Sequence, residues 1–394
     1  MNLAPFSTAR LPHIEFGSGR LALVPELAAR HGRRLLLVTG RRSIDAAPQW
    51  QPFLESLQAG GLSWQRLQVA GEPSPQLVDE AVAGLRDEGI EVVVGIGGGS
   101  VLDAGKAVAG LLGDGHSVVD YLEGVGPELV YQGPPLPYIA VPTTAGTGSE
   151  ATKNAVLSRI GREGFKKSFR DEQLVPDYAV VDPDLLATCP PSLIAANGMD
   201  ALTQLIESYV SLRANPLTEA LAWSGLEAAR DGLLPWYEGG GSETRSRMAY
   251  AALVSGITLA QTGLGSVHGL ASPLGAFFPI PHGMVCGTLV AAATRLNIEA
   301  LRRREPDHPA LAKYAAVGAL LTGNHFDYPE DGQDALVERL DQWTRRMSLE
   351  RLSSYGVTAA DIPRIVTNSR GSSMKTNPIV LTDEEIAALL AERL

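Results

Sequence analysis

The sequence predicts an α/β N-terminal domain with a mostly parallel sheet, followed by an all-α C-terminal domain. From residue 33 to about residue 190, short apolar runs alternate with amphipathic stretches of helix length, which is typical of consecutive βα units. After Pro190-Pro191 the strand-like runs almost vanish, and long stretches rich in alanine and leucine follow. A proline pair suits a boundary, so we expect domains at residues 1–190 and 191–394.

The clearest predicted elements follow from hydrophobic periodicity. Short apolar runs predict strands at residues 35–38, 92–96, 138–141 and 179–181. Between the first two, residues 76–89 carry apolar side chains at helical spacing with acidic side chains on the other face, which predicts a crossover helix. In the C-terminal half, helices are expected over residues 217–234 and 247–259.

Charge and cysteine content limit the function classes. A formal net charge of -11 argues against binding to nucleic acid or to an anionic membrane surface. The two cysteines, Cys189 and Cys286, lie far apart and outside any CxxC spacing, so we expect neither a disulfide framework nor a thiolate metal site. The first 20 residues do not have the pattern of a signal peptide, and together these features predict a cytoplasmic protein.

One long stretch contains no charged side chain. Residues 248–294 lack Asp, Glu, Lys and Arg and exceed the roughly 20 residues that a membrane span requires. Glycines, prolines and two histidines interrupt the stretch, which favours short helices and loops in a protein core over a lipid-facing helix.

A glycine turn follows the second predicted strand. Residues 92–96 run into Gly97-Gly98-Gly99-Ser100, and a helical pattern begins directly afterwards. Glycines allow the backbone to approach a pyrophosphate, and the unpaired N–H groups of a helix N-terminus favour negative charge. The alternative is a tight βα turn with no ligand.

A second polar loop, Pro142-Thr143-Thr144-Ala145-Gly146-Thr147-Gly148-Ser149-Glu150, follows the strand predicted at residues 138–141. Ligands of parallel α/β sheets bind at the carboxyl ends of strands, which is where this loop lies. A simple capping loop would explain one hydroxyl group but not the whole cluster.

These two segments resemble a known family. Residues 97–106 (GGGSVLDAGK) resemble the GGGSxxDxAK stretch of the iron-containing (group III) alcohol dehydrogenases, and residues 142–150 match their PTTAGTGSE. Gly105 replaces the usual alanine, which should cost only local helix stability. The resemblance extends from residues 14–17 (IEFG) to residues 376–378 (TNP). It implies a Rossmann-like α/β domain and an all-α domain, the architecture of dehydroquinate synthase.

The resemblance also implies the cofactor-binding residues. Gly98, Gly99 and Ser100 would hold the pyrophosphate, and Asp103 would lie near the nicotinamide end as a candidate catalytic residue. Five further positions would contact the rest of the cofactor. Lys166 would reach the nicotinamide ribose, Leu185 would pack on the adenine, and the loop threonines Thr143, Thr144 and Thr147 would line the cofactor. Lys166 could instead be a solvated lysine beside Lys167.

The choice between NAD and NADP depends on the turn after the first predicted strand. Many NAD-using members place an aspartate there, and its carboxylate would repel a 2′-phosphate. This chain has Gly40 at that position, followed by Arg41 and Arg42. Arginine suits phosphate recognition, so we expect NADP(H) to be preferred over NAD(H), the alternative being a solvated basic turn.

The helical half resembles the family's metal-binding segments. By that resemblance, the ligand positions are Asp200, Gln204, His268 and His282, and the two histidines are candidate catalytic residues. Gln204 stands where the family usually has histidine, and an amide oxygen is a weaker ligand for a transition metal. Three good donors remain for Fe²⁺ or Zn²⁺. Ser272 likewise replaces a histidine near the substrate, so the proton relay must differ.

The predicted function is NAD(P)-dependent interconversion of an alcohol with an aldehyde or ketone, assisted by a divalent metal in an interdomain cleft. A small-molecule substrate and a homodimer are what the resemblance implies. Two alternatives remain: a sugar-phosphate cyclase-like lyase of the same fold, and a nucleotide-binding relative with an impaired metal site.

Overall fold

The computed structural model describes residues 5–41 and 43–394, which form two compact units. The α/β unit comprises Ala9–Arg159 and Lys166–Cys189. The helical unit comprises Pro190–Leu394, residues 5–8 and the segment Ile160–Phe165. This segment is tied to the helices through the backbone, since the Gly161 N–H donates to the Ala276 carbonyl at 3.0 Å. The two short segments are where the division differs from the expected one.

A six-stranded parallel sheet organises the α/β unit. Its strands are β1 (His13–Phe16), β2 (Arg34–Gly40), β3 (Ser63–Val69), β4 (Val92–Gly97), β5 (Tyr138–Pro142) and β8 (Tyr178–Val181). Along the chain between β5 and β8, the strands β6 (Asn154–Arg159) and β7 (Phe165–Arg170) form a separate two-stranded sheet. The order across the large sheet is β1-β8-β5-β4-β2-β3, and every neighbouring pair is parallel. The four strands expected from the sequence are confirmed.

The burial of each strand explains why the apolar runs in the sequence predicted some strands and not others. All six residues of β4 are buried, as expected for a central strand covered on both faces. The edge strand β3 is mostly exposed and carries polar side chains, so it offered no apolar run. The other edge strand, β1, is only four residues long.

Four helices cover this sheet: α1 (Val24–Ala29), α2 (Trp50–Ala59), α3 (Pro75–Leu85) and α4 (Gly99–Leu111). Trp50, Phe53 and Leu57 of α2 are buried in one hydrophobic cluster with side chains of β2, β4 and β5. The predicted crossover helix is α3, which begins after the capping residue Ser74 and ends at Leu85, earlier than expected.

Helices dominate residues 190–394. They are α5 (Pro191–Val210), α6 (Pro216–Tyr237), α7 (Ser242–Thr262), α8 (Ser266–Phe277), α9 (His282–Arg304), α10 (Ala310–Thr322), α11 (Pro329–Arg346), α12 (Ile362–Asn368) and α13 (Asp383–Glu392). The central helix α5 packs against α6, α7 and α9. The all-α prediction for this half is confirmed, and both expected helices are several residues longer than predicted.

The charge-free stretch forms α8 and parts of α7 and α9. By length and composition α9 could cross a membrane, with a mean hydropathy of 1.3, but 78% of its most apolar window is buried inside the protein. That burial is what a core helix requires.

Gly105 has a packing role that the sequence comparison did not predict. A Cβ atom at position 105 would lie 2.9 Å from the Tyr138 hydroxyl oxygen and 3.0 Å from its ring. Tyr138 is buried and donates its hydroxyl hydrogen to the Leu102 carbonyl at 2.9 Å. The ring is therefore held in place, and the glycine makes room for it.

Gly105→Ala should therefore destabilise the protein, although alanine is the better helix former by about 1 kcal/mol. We expect a net loss of about 1–3 kcal/mol from overpacking against Tyr138. Chemical denaturation of the single variants and of the double variant with Tyr138→Phe measures the effect. Removing the hydroxyl should recover part of the loss. A Gly105→Ala protein as stable as the parent would contradict this packing assignment.

Candidate functional site

The glycine turn joins β4 to α4 in the α/β unit. Gly98 has an extended backbone and caps α4, so the first N–H groups of the helix point out of its N-terminus. Gly98, Gly99 and Ser100 are all half-buried. The predicted arrangement of strand, glycine turn and helix is present, and it is an arrangement that can bind a phosphate group.

The polar loop lies directly against this turn. The Thr143 N–H donates to the Gly97 carbonyl at 2.9 Å. A Cβ atom at position 99 would lie 2.6 Å from the Thr147 hydroxyl oxygen, and one at position 98 would lie 3.2 Å from that of Thr144. The absence of a Cβ atom at positions 98 and 99 therefore leaves space for the threonine side chains as well as for a ligand. The structure brings the two predicted loops together.

A buried lysine holds the polar loop. Lys106 is only 1% exposed, and its ammonium group donates to the backbone carbonyls of Ser149 and Asn154, both at 2.8 Å. Asp103, one helical turn earlier, accepts a hydrogen bond from the Ser149 hydroxyl at 2.5 Å. Burial lowers the pKa of Lys106 to about 8, although Asp103 opposes this effect. Asp103 therefore supports the loop through its carboxylate.

Two predicted cofactor residues have other contacts in the structure. Lys166, on β7, has 9% of its side chain exposed and forms an ion pair with Glu72. Leu185 is 3% exposed and belongs to the hydrophobic cluster of the α/β unit. Lys166 is not the solvated lysine of the alternative interpretation, since a carboxylate binds it in a largely buried position.

The basic turn after β2 is partly described. Gly40 ends β2 and is half-buried, Arg41 is exposed, and Arg42 lies outside the described residues. Arg66, from the neighbouring strand β3, donates to the Thr39 hydroxyl at 2.8 Å and pairs with Asp45. Sequence analysis did not select Arg66, which adds a second guanidinium near the end of β2.

In the helical unit, four side chains that could bind a metal converge. They are Asp200 on α5, His268 on α8, and His282 and Cys286 on α9, and one donor atom of each lies within 4.8 Å of the others. His268 Nε2 lies 3.2 Å and His282 Nε2 lies 3.8 Å from Asp200 Oδ1. Asp200 is fully buried, and no described residue hydrogen-bonds to its Oδ2. A buried carboxylate oxygen and two imidazoles fit a divalent transition metal.

Glu207 orients one of these histidines. Its Oε2 lies 2.7 Å from His268 Nδ1, which leaves Nε2 directed at Asp200. The other carboxylate oxygen accepts the Val267 N–H at the start of α8, also at 2.7 Å. The carboxylate therefore stabilises the helix N-terminus and fixes the imidazole, as carboxylates beside metal-binding histidines commonly do.

The charges in the cluster shift its pKa values in a consistent way. Burial alone would raise the pKa of Asp200, but His282 and His268 lower it below its usual value. Burial would lower the pKa of His268, but the carboxylates of Glu207 and Asp200 raise it well above its usual value. Burial raises the pKa of the Cys286 thiol to about 12. Without a metal, this thiol keeps its proton.

Gln204 lies beside the cluster with its oxygen turned away. Its amide nitrogen donates to Asp200 Oδ1 at 3.3 Å, and its oxygen accepts the Ser255 hydroxyl at 2.7 Å. The structure thus brings three of the four predicted ligands together, and Gln204 directs an N–H group, which cannot bind a metal, at the carboxylate.

Cys286 and Glu207 were missed by the sequence analysis, which expected no cysteine near a metal. A signal for each was present. Cys286 follows His282 by four residues at the start of a helix, and Glu207 follows Asp200 by seven, so each pair shares a helix face.

Comparisons with known proteins agree with this architecture. A family model described as "Iron-containing alcohol dehydrogenase" matches residues 12–183, and one described as "Fe-containing alcohol dehydrogenase family, C-terminal" matches residues 194–394. Alcohol dehydrogenase 4 of Saccharomyces cerevisiae is 31% identical over 383 residues, which cover 95% of each chain. Long-chain-alcohol dehydrogenase 1 of Geobacillus thermodenitrificans is 34% identical over 393 residues, covering 99% of this chain and 96% of its own.

A solved structure is similar over the same length. Sulfoacetaldehyde reductase from Bifidobacterium kashiwanohense, in complex with NAD⁺, has a TM-score of 0.84 at 27% identity and covers 99% of each chain. The chain described above, with its glycine turn, polar loop and buried donor cluster, belongs to the iron-containing alcohol dehydrogenase family, a family of alcohol and aldehyde oxidoreductases.

Proposed function

We propose that this enzyme interconverts a small alcohol with its aldehyde or ketone, prefers NADP(H) over NAD(H), and uses Fe²⁺ or Zn²⁺ bound by Asp200, His268 and His282. The observation that carries the proposal is the buried donor cluster. Asp200 Oδ1 faces two imidazole groups there, and its buried Oδ2 has no hydrogen-bond partner among the described residues; such a set of donors in a core fits a divalent transition metal.

The cofactor's pyrophosphate would bind at the N-terminus of α4. Gly98, Gly99 and Ser100 would present backbone N–H groups to it, while Thr143, Thr144 and Thr147 would line the adjoining side. Lys106 supports this proposal, because its hydrogen bonds fix the loop that carries the threonines before any ligand binds. A cradle ordered in advance costs less binding free energy to form.

Three further residues are proposed to contact the cofactor. Asp103 would lie near the nicotinamide end while it keeps the Ser149 hydroxyl. Lys166 would exchange part of its ion pair with Glu72 for a ribose hydroxyl. Leu185, being buried, would offer the adenine only the edge of its side chain.

In the helical unit, the protein's task is to hold donors in a dry environment. A divalent metal, when bound, supplies the Lewis acid that stabilises negative charge on the substrate oxygen during hydride transfer. Glu207 keeps the His268 ring in one orientation, and the burial of Asp200 and His268 excludes water from the donor atoms. Histidine binds a metal only in its neutral form, so binding displaces the proton from Nε2.

The NADP(H) preference rests on the end of β2. Gly40 places no carboxylate where the adenine ribose is expected, and Arg41 is exposed beside it. Arg66 donates to the Gly40 carbonyl and to Thr39, so its positive charge is held at the same strand end. A 2′-phosphate would meet two guanidinium groups, of which that of Arg66 also pairs with Asp45.

Gly40→Asp should reduce the preference for NADPH. We expect the ratio of kcat/KM for NADPH to that for NADH to fall at least about tenfold, about 1.4 kcal/mol, since the new carboxylate repels a 2′-phosphate. Gly40→Ala is the matched control, because it adds the same Cβ atom, 3.2 Å from the Ser43 hydroxyl oxygen, without charge. Steady-state kinetics with both cofactors measure the ratio. An unchanged ratio in Gly40→Asp would refute the placement of the 2′-phosphate.

Asp200→Asn should abolish metal retention. Protein purified without chelator should carry about one equivalent of Fe²⁺ or Zn²⁺, and the variant below about a tenth of one, since a neutral amide is a poor ligand. Asp231→Asn is the control, because Asp231 is a partly exposed carboxylate of α6 paired with Arg230 and Arg247. Elemental analysis gives the contents. A metal-free parent protein that gains no turnover from either ion would contradict the metal-assisted reaction.

We also propose that the enzyme is a cytoplasmic homodimer. The two cysteines are both free, as a reducing compartment would keep them. Sedimentation equilibrium measures the mass in solution, and a monomer at micromolar concentration would contradict the dimer.

A further inference from the structure

Cys286 is the one member of the buried donor cluster that the proposed function does not use. Its sulfur lies 3.6 Å from His268 Nε2 and 3.8 Å from His282 Nε2. The side chain is 0% exposed, so it is not available as a nucleophile to molecules in solution. Its sulfur faces the same nitrogen atoms that Asp200 faces.

Four of the distances within the cluster are close to those of a tetrahedral site. With metal bonds of about 2.0–2.1 Å to nitrogen or oxygen and about 2.3 Å to sulfur, a tetrahedron has N···O edges of about 3.3 Å and N···S edges of about 3.6 Å. The N···O distances here are 3.2 and 3.8 Å, and the N···S distances are 3.6 and 3.8 Å. These four distances lie within about half an ångström of the tetrahedral values.

The start of α9 places the sulfur there. His282 and Cys286 are four residues apart on one helix face. Gly283 allows this face to approach α5, because a Cβ atom at position 283 would lie 2.4 Å from the Ala196 carbonyl oxygen. Gly287 does the same one turn later, where a Cβ atom would lie 3.0 Å from that of Met199. The close backbone packing brings both α9 donors to Asp200.

The fourth position of the cluster is not taken by Gln204. Its oxygen accepts from Ser255, and its nitrogen donates to Asp200, so it acts as a hydrogen-bond partner of a ligand. We propose that Cys286 is the fourth metal ligand of this enzyme, completing an Asp-His-His-Cys site that favours zinc over iron. The inference rests on the metal site of the proposed function and specifies its composition.

Binding through sulfur needs no redox step. The thiol proton leaves to solvent, the sulfur forms one bond to the metal, and no oxidation state changes. Thiolate, imidazole and carboxylate together suit Zn²⁺. Such a donor set is expected to bind Zn²⁺ more tightly than Fe²⁺. Catalytic zinc can expand to five donors in the transition state, so a substrate oxygen would enter this site as a fifth donor.

Cobalt(II) substitution tests the assignment directly. Metal-free full-length protein is titrated with Co²⁺, and a cobalt–thiolate bond is detected as a near-ultraviolet charge-transfer band. The chain has two cysteines, so the titration is done on Cys189→Ser, in which any such band comes from Cys286. We expect the band to saturate at about one equivalent and to disappear when Zn²⁺ is added in excess.

Cys286→Ser in the same background should lose the band and bind Co²⁺ at least about tenfold more weakly. Its melting temperature and circular dichroism report whether it folds. Should it fail to fold, the band in Cys189→Ser alone still decides the question.

The outcomes distinguish the role of Cys286 from the existence of the metal site. Stoichiometric Co²⁺ binding that requires Asp200 but lacks a charge-transfer band overturns the role of Cys286 and leaves the three-ligand site intact. Failure to bind Co²⁺, or binding that Asp200→Asn does not weaken, overturns the proposed metal site itself.

Discussion

The helical unit is organised around one buried carboxylate. Asp200 is fully inaccessible to solvent, and an unpaired charge in such a position costs several kcal/mol even after relaxation. His268 and His282 face it from two other helices and hold its pKa below the usual value. The negative charge of Asp200 therefore restricts which residue types can surround it. They must be cationic, able to bind a cation, or able to donate a hydrogen bond. Gln204 donates a hydrogen bond to Asp200, and Glu207 is a partner of His268.

Convergence on that carboxylate requires close backbone packing. Side chains of ordinary length reach a common point from three helices only when the helix axes approach closely, and glycine permits this at two places. At Gly283 the start of α9 lies against the Ala196 carbonyl, and at Gly265 a Cβ atom would lie 2.8 Å from a Glu207 carboxylate oxygen. Larger residues there would displace His282 or Glu207 before any donor atom was altered. The glycines belong to the site as much as the donors do.

The sequence predicted the fold well where burial is one-sided or complete. The central strands appeared because an inner parallel strand is apolar throughout, as β4 is. The edge strand β3 did not appear, because its pairing with β2 comes from backbone hydrogen bonds that leave no mark on its polar side chains. Three of the four expected donors meet, since motif and helix spacing carry that information. Cys286 and Gly105 were misjudged because their roles depend on which neighbour lies opposite, at Asp200 and at Tyr138, and only tertiary packing determines that.

Contacts within the protein also explain why the cofactor motifs are long. A phosphate needs only a few N–H groups at a helix N-terminus, yet the matching segments cover ten and nine residues. Most of that length concerns the two loops' contacts with each other. Gly99 leaves space for Thr147, Asp103 binds Ser149, and Lys106 donates to the carbonyls of Ser149 and Asn154. A buried lysine with four oxygen contacts is costly to replace, since any shorter or apolar side chain removes all four hydrogen bonds together. Part of what resembles a ligand-binding motif is therefore the internal support of a loop, and Lys106 and Ser149 constrain the shape of the site through contacts within the protein.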